Sequence, residues 1–112
     1  MLAKINRLKK RKDFESILKH GKGFKEDFLV LKMIRNNLKQ TRFGFIVGVK
    51  VSKKASLRNK IKRRLKGLVR IKLEKIKKGF DVILIAKEGL ENKDFWDIEE
   101  VISKLFSKAK II

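Results

Sequence analysis

The chain has 112 residues, enough for one domain with a single modest core, and 43% hydrophobic content rules out simple disorder. Thirty-two Lys and Arg against twelve Asp and Glu leave a net charge near +20, a folded but self-repelling body expected to gain stability by binding anions. No Cys and a single His leave no disulfide framework, no thiolate metal site and no nucleophile–base arrangement, so neither a catalytic nor a metal site is expected on the protein.

In chain order, the N-terminal MLAKINRLKKRK lacks the hydrophobic centre of a signal peptide, and no later apolar run approaches a membrane span. The cytoplasm is the expected compartment, with no membrane contact. Lys10 to His20 reads as a short helix carrying Phe14, Ile17 and Leu18 on one face, with Gly21 as its stop. His20 falls at that helix's C-terminus, where partial positive charge is tolerated. Lys22 to Phe24 suggests a short strand, and Phe28 to Ile34 and Phe43 to Val49 read as two strong ones. Phe43 and Phe45 share a strand face and are expected in the core. Phe80 to Ala86, FDVILIA, reads as a buried strand. Asp94 to Lys108 closes the domain as an amphipathic helix, with Phe95 and Trp96 expected to anchor it. No repeat, linker or low-complexity segment interrupts this order, so residues 1–112 read as one domain.

The most informative stretch is VSKKASLRNKIKRRLKGLVR, Val51 to Arg70. Fourteen Lys or Arg and one acid, Glu74, lie between Lys50 and Lys78. At about 100° per residue, Leu57, Ile61, Leu65, Leu68, Val69, Leu73 and Ile76 cluster on one side of a helix. Asn59, Arg63, Lys66 and Arg70 fall on the opposite side, with Lys62 at its edge. Ser56 is placed to cap the first turn, so the helix is expected to begin near the RNK triplet and to end near Lys78 and Gly79. A merely solvated face mixes signs through Glu–Lys pairs, whereas this one has almost no acid within reach. An anionic polymer, nucleic acid, is the partner that such a face fits. Twenty-four Lys against eight Arg favours point-charge contacts to phosphate over planar bidentate ones. The acids of the last third, Asp81 to Glu100, make that region nearly neutral and are expected to face away from RNA.

Helix, strands, helix, strand, helix argues for an α+β sandwich, a single mixed sheet of about four strands with three helices. Strands flanking the basic helix are candidates for parallel pairing, through a crossover that is right-handed by the general rule.

Ordered along the chain, VSKK (Val51 to Lys54), RNKIKR (Arg58 to Arg63), LKKRKDFESILKHG (Leu8 to Gly21), FDVILIAKEGL (Phe80 to Leu90) and ISKLFSK (Ile102 to Lys108) resemble the motifs of the bacterial ribonuclease P protein component. The resemblance covers nearly the whole chain. It implies a fold similar to domain 2 of ribosomal protein S5, with a left-handed βαβ crossover in place of the usual hand. It implies an accessory subunit that binds a catalytic RNA and the 5′ leader of precursor tRNA while the RNA, with Mg2+, removes the leader. No cofactor held tightly by the protein and no obligate protein partner are implied. Carried onto this chain, the RNA-contacting set is Lys53, Lys54, Arg58, Asn59, Lys60, Lys62, Arg63, Lys66 and Arg70, and the leader cleft is lined by Phe14, Leu18 and Leu31. Phe14 also fits an ordinary core position. The chain departs from the family pattern in a loop about three residues shorter before Arg58, in Leu18 and Leu31 at positions often aromatic, and in Lys66 where the motif ends in Arg. The rival reading is a structural RNA binder of ribosomal type with no role in cleavage.

Overall fold

The computed structural model describes residues 2–112. Its elements are α1 (Arg11–His20), β1 (Lys22–Glu26), β2 (Leu29–Arg35), β3 (Arg42–Val47), α2 (Ala55–Lys72), β4 (Phe80–Ala86) and α3 (Phe95–Lys108). Short 3-10 turns occupy Lys4–Asn6, Leu73–Lys75 and Leu90–Asn92. The sheet runs β1-β2-β4-β3, with β1/β2 and β2/β4 antiparallel and β3/β4 parallel. The parallel pair is joined through α2, which carries the chain back along the sheet between them.

Strand parity decides the layers. Leu29, Leu31, Phe43, Val47, Val82, Leu84 and Ala86 face α2 and α3 and form the main core with Ile61, Leu65, Leu68, Val69, Ile98, Ile102 and Phe106. Residues of opposite parity, Ile83 with half-buried Ile34, Ile46 and Ile85, meet Leu8, Ile17, Phe14 and Leu18 on the α1 side. Because β4 is central and apolar on both faces, FDVILIA reads as one unbroken apolar run. α1 covers its side of the sheet only in part, and Ile34, Ile46 and Ile85 stay half-buried there.

Several boundaries and placements differ from the sequence expectation. α2 starts at Ala55, where the Lys54 carbonyl accepts from the Arg58 N–H at 3.1 Å. Lys54 has the extended dihedrals of a cap residue, and Ser56 is already inside the first turn, so Ser56 is not the cap. Ser52 Oγ instead accepts from the Lys54 N–H at 3.2 Å, one residue before the helix. The helix stops at Lys72 and tightens through Leu73–Lys75, which lets Ile76 fold back into the core. Lys77 then donates its N–H to the Ile111 carbonyl at 2.7 Å. In α3, Asp94 caps the helix by accepting from the Asp97 N–H at 2.9 Å. Phe95 and Trp96 do not anchor it: Trp96 is 72% exposed and the pair meets edge to face, 5.1 Å between centroids. The packed stripe begins only at Ile98, and Trp96 falls on the flank away from it.

The α1 layer is fastened by a buried carboxylate. Asp81 of β4 accepts from Arg42 Nε at 2.8 Å and Nη2 at 2.6 Å, and from Asn36 Nδ2 at 2.8 Å. Arg42 also approaches Asp13 of α1 at 3.8 Å. The Asp81 carboxylate raises the Arg42 pKa, chiefly by hydrogen bonding.

Candidate nucleic-acid interface

α2 presents its cations where the sequence periodicity put them, except that Lys66 joins Lys62 at the flank. Ile61, Leu65, Leu68 and Val69 are buried, while Asn59, Lys60, Arg63 and Arg70 are exposed and Lys62 and Lys66 are half-buried at the flank. Among the described residues, the ion pairs are Arg11–Glu15, Arg42 with Asp13 and Asp81, Lys72–Glu99, Lys104–Glu100 and Lys108–Glu26. Only Lys72, which turns toward α3, draws an acid to α2. Its hydrogen bond to Glu99, with help from Ser103, lowers the Glu99 pKa against a smaller opposing effect of burial. Among the described residues, Lys53, Lys54, Lys60, Lys62, Arg63, Lys66 and Arg70 carry no internal counter-charge. A polyanion neutralises such a face without displacing any internal pair.

Arg58 is the exception within the expected set. Its Nη1 donates to the Ser52 carbonyl at 2.9 Å and the Lys53 carbonyl at 3.0 Å, so its guanidinium braces the short loop that presents Lys53 and Lys54. That loop is tight: the Val51 N–H donates back to the Gly48 carbonyl at 3.1 Å.

The basic face continues into a groove of about 220 Å³ between the N-terminal segment, α1, β3 and α2. Phe14, Gly44 and Phe45 lie in it, with Arg7, Lys9, Lys62 and Lys66 around them. The edge position of β3 lets the groove wrap round the sheet. The N-terminal segment is held there by an Arg7–Phe43 parallel bridge and by the Leu8 N–H donating to the Phe43 carbonyl at 2.9 Å. Gly44 sets the depth: a β-carbon at this position would overlap the edge of the Phe14 ring. An aromatic ring laid on backbone and ringed by cations suits a base and its phosphates.

The family model for Ribonuclease P matches residues 2–110. The chain belongs to the ribonuclease P protein family. The ribonuclease P protein component of Clostridium botulinum (strain 657) is 37% identical over 109 residues, spanning 96% of this chain and 97% of the relative. Among solved structures, a Staphylococcus aureus RNase P protein mutant superposes with TM-score 0.90 at 28% identity, covering 97% of this chain and 92% of its own. The Thermotoga maritima RNase P protein gives TM-score 0.83 at 33% identity, covering 91% and 96%. The α+β architecture is thus the family's, and the chain is a ribonuclease P subunit with RNA binding and tRNA processing as its work. A ribosomal-type role is not favoured. No helix among the described residues is long and apolar enough to cross a membrane.

Of the three residues expected to line a ribonuclease P leader cleft, the structure brings two together. Phe14 and Leu18, one turn apart on α1, are both half-buried over the open side of the sheet. Leu31 is a correction: it is fully buried on the α2/α3 side, between Phe24 and Leu84 of the neighbouring strands. Its strand parity points it away from α1, and Val30 and Lys32 are its neighbours on the cleft side. Lys32 closes that side by donating from Nζ to the Leu18 carbonyl at 2.8 Å. Phe43 is core as expected; Phe45 packs against that core but is only half-buried, and both border the groove. Sequence reasoning missed Arg7, Lys9 and Gly44 as groove residues. The cation-rich N-terminus was visible, whereas its bridge to β3 is a contact between residues 36 apart. Among the described residues, no cluster of three or more His, Asp or Glu could hold a metal ion.

Proposed function

We propose that this chain is the RNA-positioning subunit of ribonuclease P: α2 docks the catalytic RNA, the groove beside Phe14 holds the 5′ leader of precursor tRNA, and the RNA with its magnesium performs the cleavage. The observation carrying this reading is the continuity of seven uncompensated cations with an aromatic groove floored by Gly44. In it, Lys53, Lys54, Lys60, Lys62, Arg63, Lys66 and Arg70 meet phosphates, Asn59 donates to the backbone or a base edge, and Arg58 holds their loop. Phe14 stacks one leader base above Gly44, with Leu18 one turn further along α1, and Phe45 lies where the groove turns round the edge of β3. Magnesium enters as an ion held by the RNA, and the protein contributes positive charge that reduces repulsion between two RNAs. Holding the leader makes precursor bind better than mature tRNA, because only the precursor has the segment that fills the groove.

Reconstitution tests it. At low magnesium, adding the protein to a ribonuclease P RNA should restore 5′ maturation, and Phe14→Ala should raise KM for precursor with little change in catalytic-RNA affinity. A protein that binds the RNA tightly yet leaves cleavage unchanged would instead be a structural RNA binder.

A further inference from the structure

A second basic and aromatic groove lies away from α2's exposed face and from the α1 cleft. It has a volume of about 440 Å³ and sits where the start of β1, the end of β2 and the start of β4 meet the end of α3. Lys22, Arg35, Lys77 and Lys110 surround Phe24 and Phe80, and no acidic side chain lines it. Arg35 lies over the Phe80 ring at 5.2 Å and Lys22 over the Phe24 ring at 5.5 Å. None of the four cations enters an ion pair among the described residues.

In a chain this basic, four cations near one hollow are unremarkable by themselves. Two further observations distinguish this one. Both rings pack against the core yet stay only half-buried, and a movable cation lies over each. Lys110 also occupies a position that glycine normally takes. α3 ends with the Lys110 N–H donating to Ser107 and the Ile111 N–H donating to Phe106, which leaves Lys110 at φ 58°. That left-handed site suits glycine, and a lysine there is tolerated at a steric cost. Its side chain lines the groove.

Building on the docking role proposed above, we infer that this groove is a second RNA site, taking an unpaired base and its adjoining phosphates. A base would replace the cation on a ring, and the cation would move to the phosphate. The unpaired strand can belong to the catalytic RNA or to the precursor, and the two are separable. α2, 18 residues or about 27 Å long, leads from the Lys53 loop toward this end of the molecule, so one RNA can touch both sites.

The test uses the full chain carrying Arg35→Ala and Lys110→Gly. Lys110→Gly relieves the left-handed residue, so the thermal midpoint should hold or rise. Affinity should fall about tenfold or more, and the salt slope of binding should flatten by about 1.4, the value for two single-strand phosphates left without a cation. Loss with the catalytic RNA alone assigns the strand to that RNA. Loss only in precursor KM, in the reconstituted enzyme, assigns it to the precursor. If neither changes, the inference is overturned. Lys62→Ala with Arg63→Ala, measured alongside, separates the two claims: with that pair impaired and the groove pair silent, only the second site fails, whereas an impaired groove pair beside a silent α2 pair would retain this site and sink docking through α2.

Discussion

The uncompensated charge on α2 predicts a steep salt dependence that can be worked from the structure. Lys53, Lys54, Lys60, Lys62, Arg63, Lys66 and Arg70 are the members of the expected set with no acid partner and no bracing role. If each meets one phosphate, the logarithm of the affinity should fall with log salt at a slope of about −5 to −6, using roughly 0.7 to 0.9 per phosphate. Between 50 and 200 mM salt this is a loss of roughly 10³ to 10⁴ in affinity for the catalytic RNA. Replacing Lys62 and Arg63 by Ala should flatten the slope by about 2. Both lie off the packed face and neither is ion-paired, so folding should shift by no more than about 0.5 kcal/mol, or ~2 °C in Tm for a domain this size. Filter binding or fluorescence anisotropy across a salt series, beside a thermal melt, reads both quantities. A slope shallower than about −2, or one the double variant leaves unchanged, would refute docking through this face. A loss of Tm that tracks the loss of affinity would make the two residues structural.

Three other outcomes follow from local geometry. Arg42→Ala strands the buried Asp81 carboxylate with Asn36 as its one side-chain partner, so stability should drop by about 3–5 kcal/mol, or ~12–20 °C in Tm; adding Asp81→Asn should recover part of it, and a single variant that melts like the parent would deny the network its role. Gly44→Ala forces the Phe14 ring to shift, so it should resemble Phe14→Ala in losing preference for precursor over mature tRNA while RNA docking is retained; full precursor preference would show that Phe14 is not the stacking surface. Glu99 and Glu26 are held below the ordinary Glu range by hydrogen bonds from Lys72 and Lys108. Their folded values are depressed, so their contribution is complete above about pH 4.5 and is lost as pH falls through the folded values. Melting midpoints should therefore decline on acidification below that point, less steeply in Glu99→Gln, and identical pH slopes in the two proteins would dismiss the Lys72–Glu99 pair as a contributor.

The family motifs, the apolar run of β4 and the amphipathic basic helix were legible in the sequence because each is a local pattern. Ile61, Leu65, Leu68 and Val69 declare a buried stripe within one helix, and the cations off that stripe have nowhere to point but outward. Phe80 to Ala86 matches its strand to the residue, since an apolar run that short and β-branched has few alternatives. What tertiary structure decided is which side of the sheet each strand residue meets. Side chains alternate with a period of two, so one step in parity moves a residue from cleft to core. Leu31 therefore packs under α2 and α3, although its place in the motif suggested the cleft. Phe45 escapes full burial only because β3 is the edge strand, and Arg7 and Lys9 join the groove only because their segment bridges to it. Trp96 looked like an anchor by its size, yet its helical angle leaves it in solvent. Composition and periodicity set what each segment is, whereas packing between residues far apart in the chain sets what each side chain can touch.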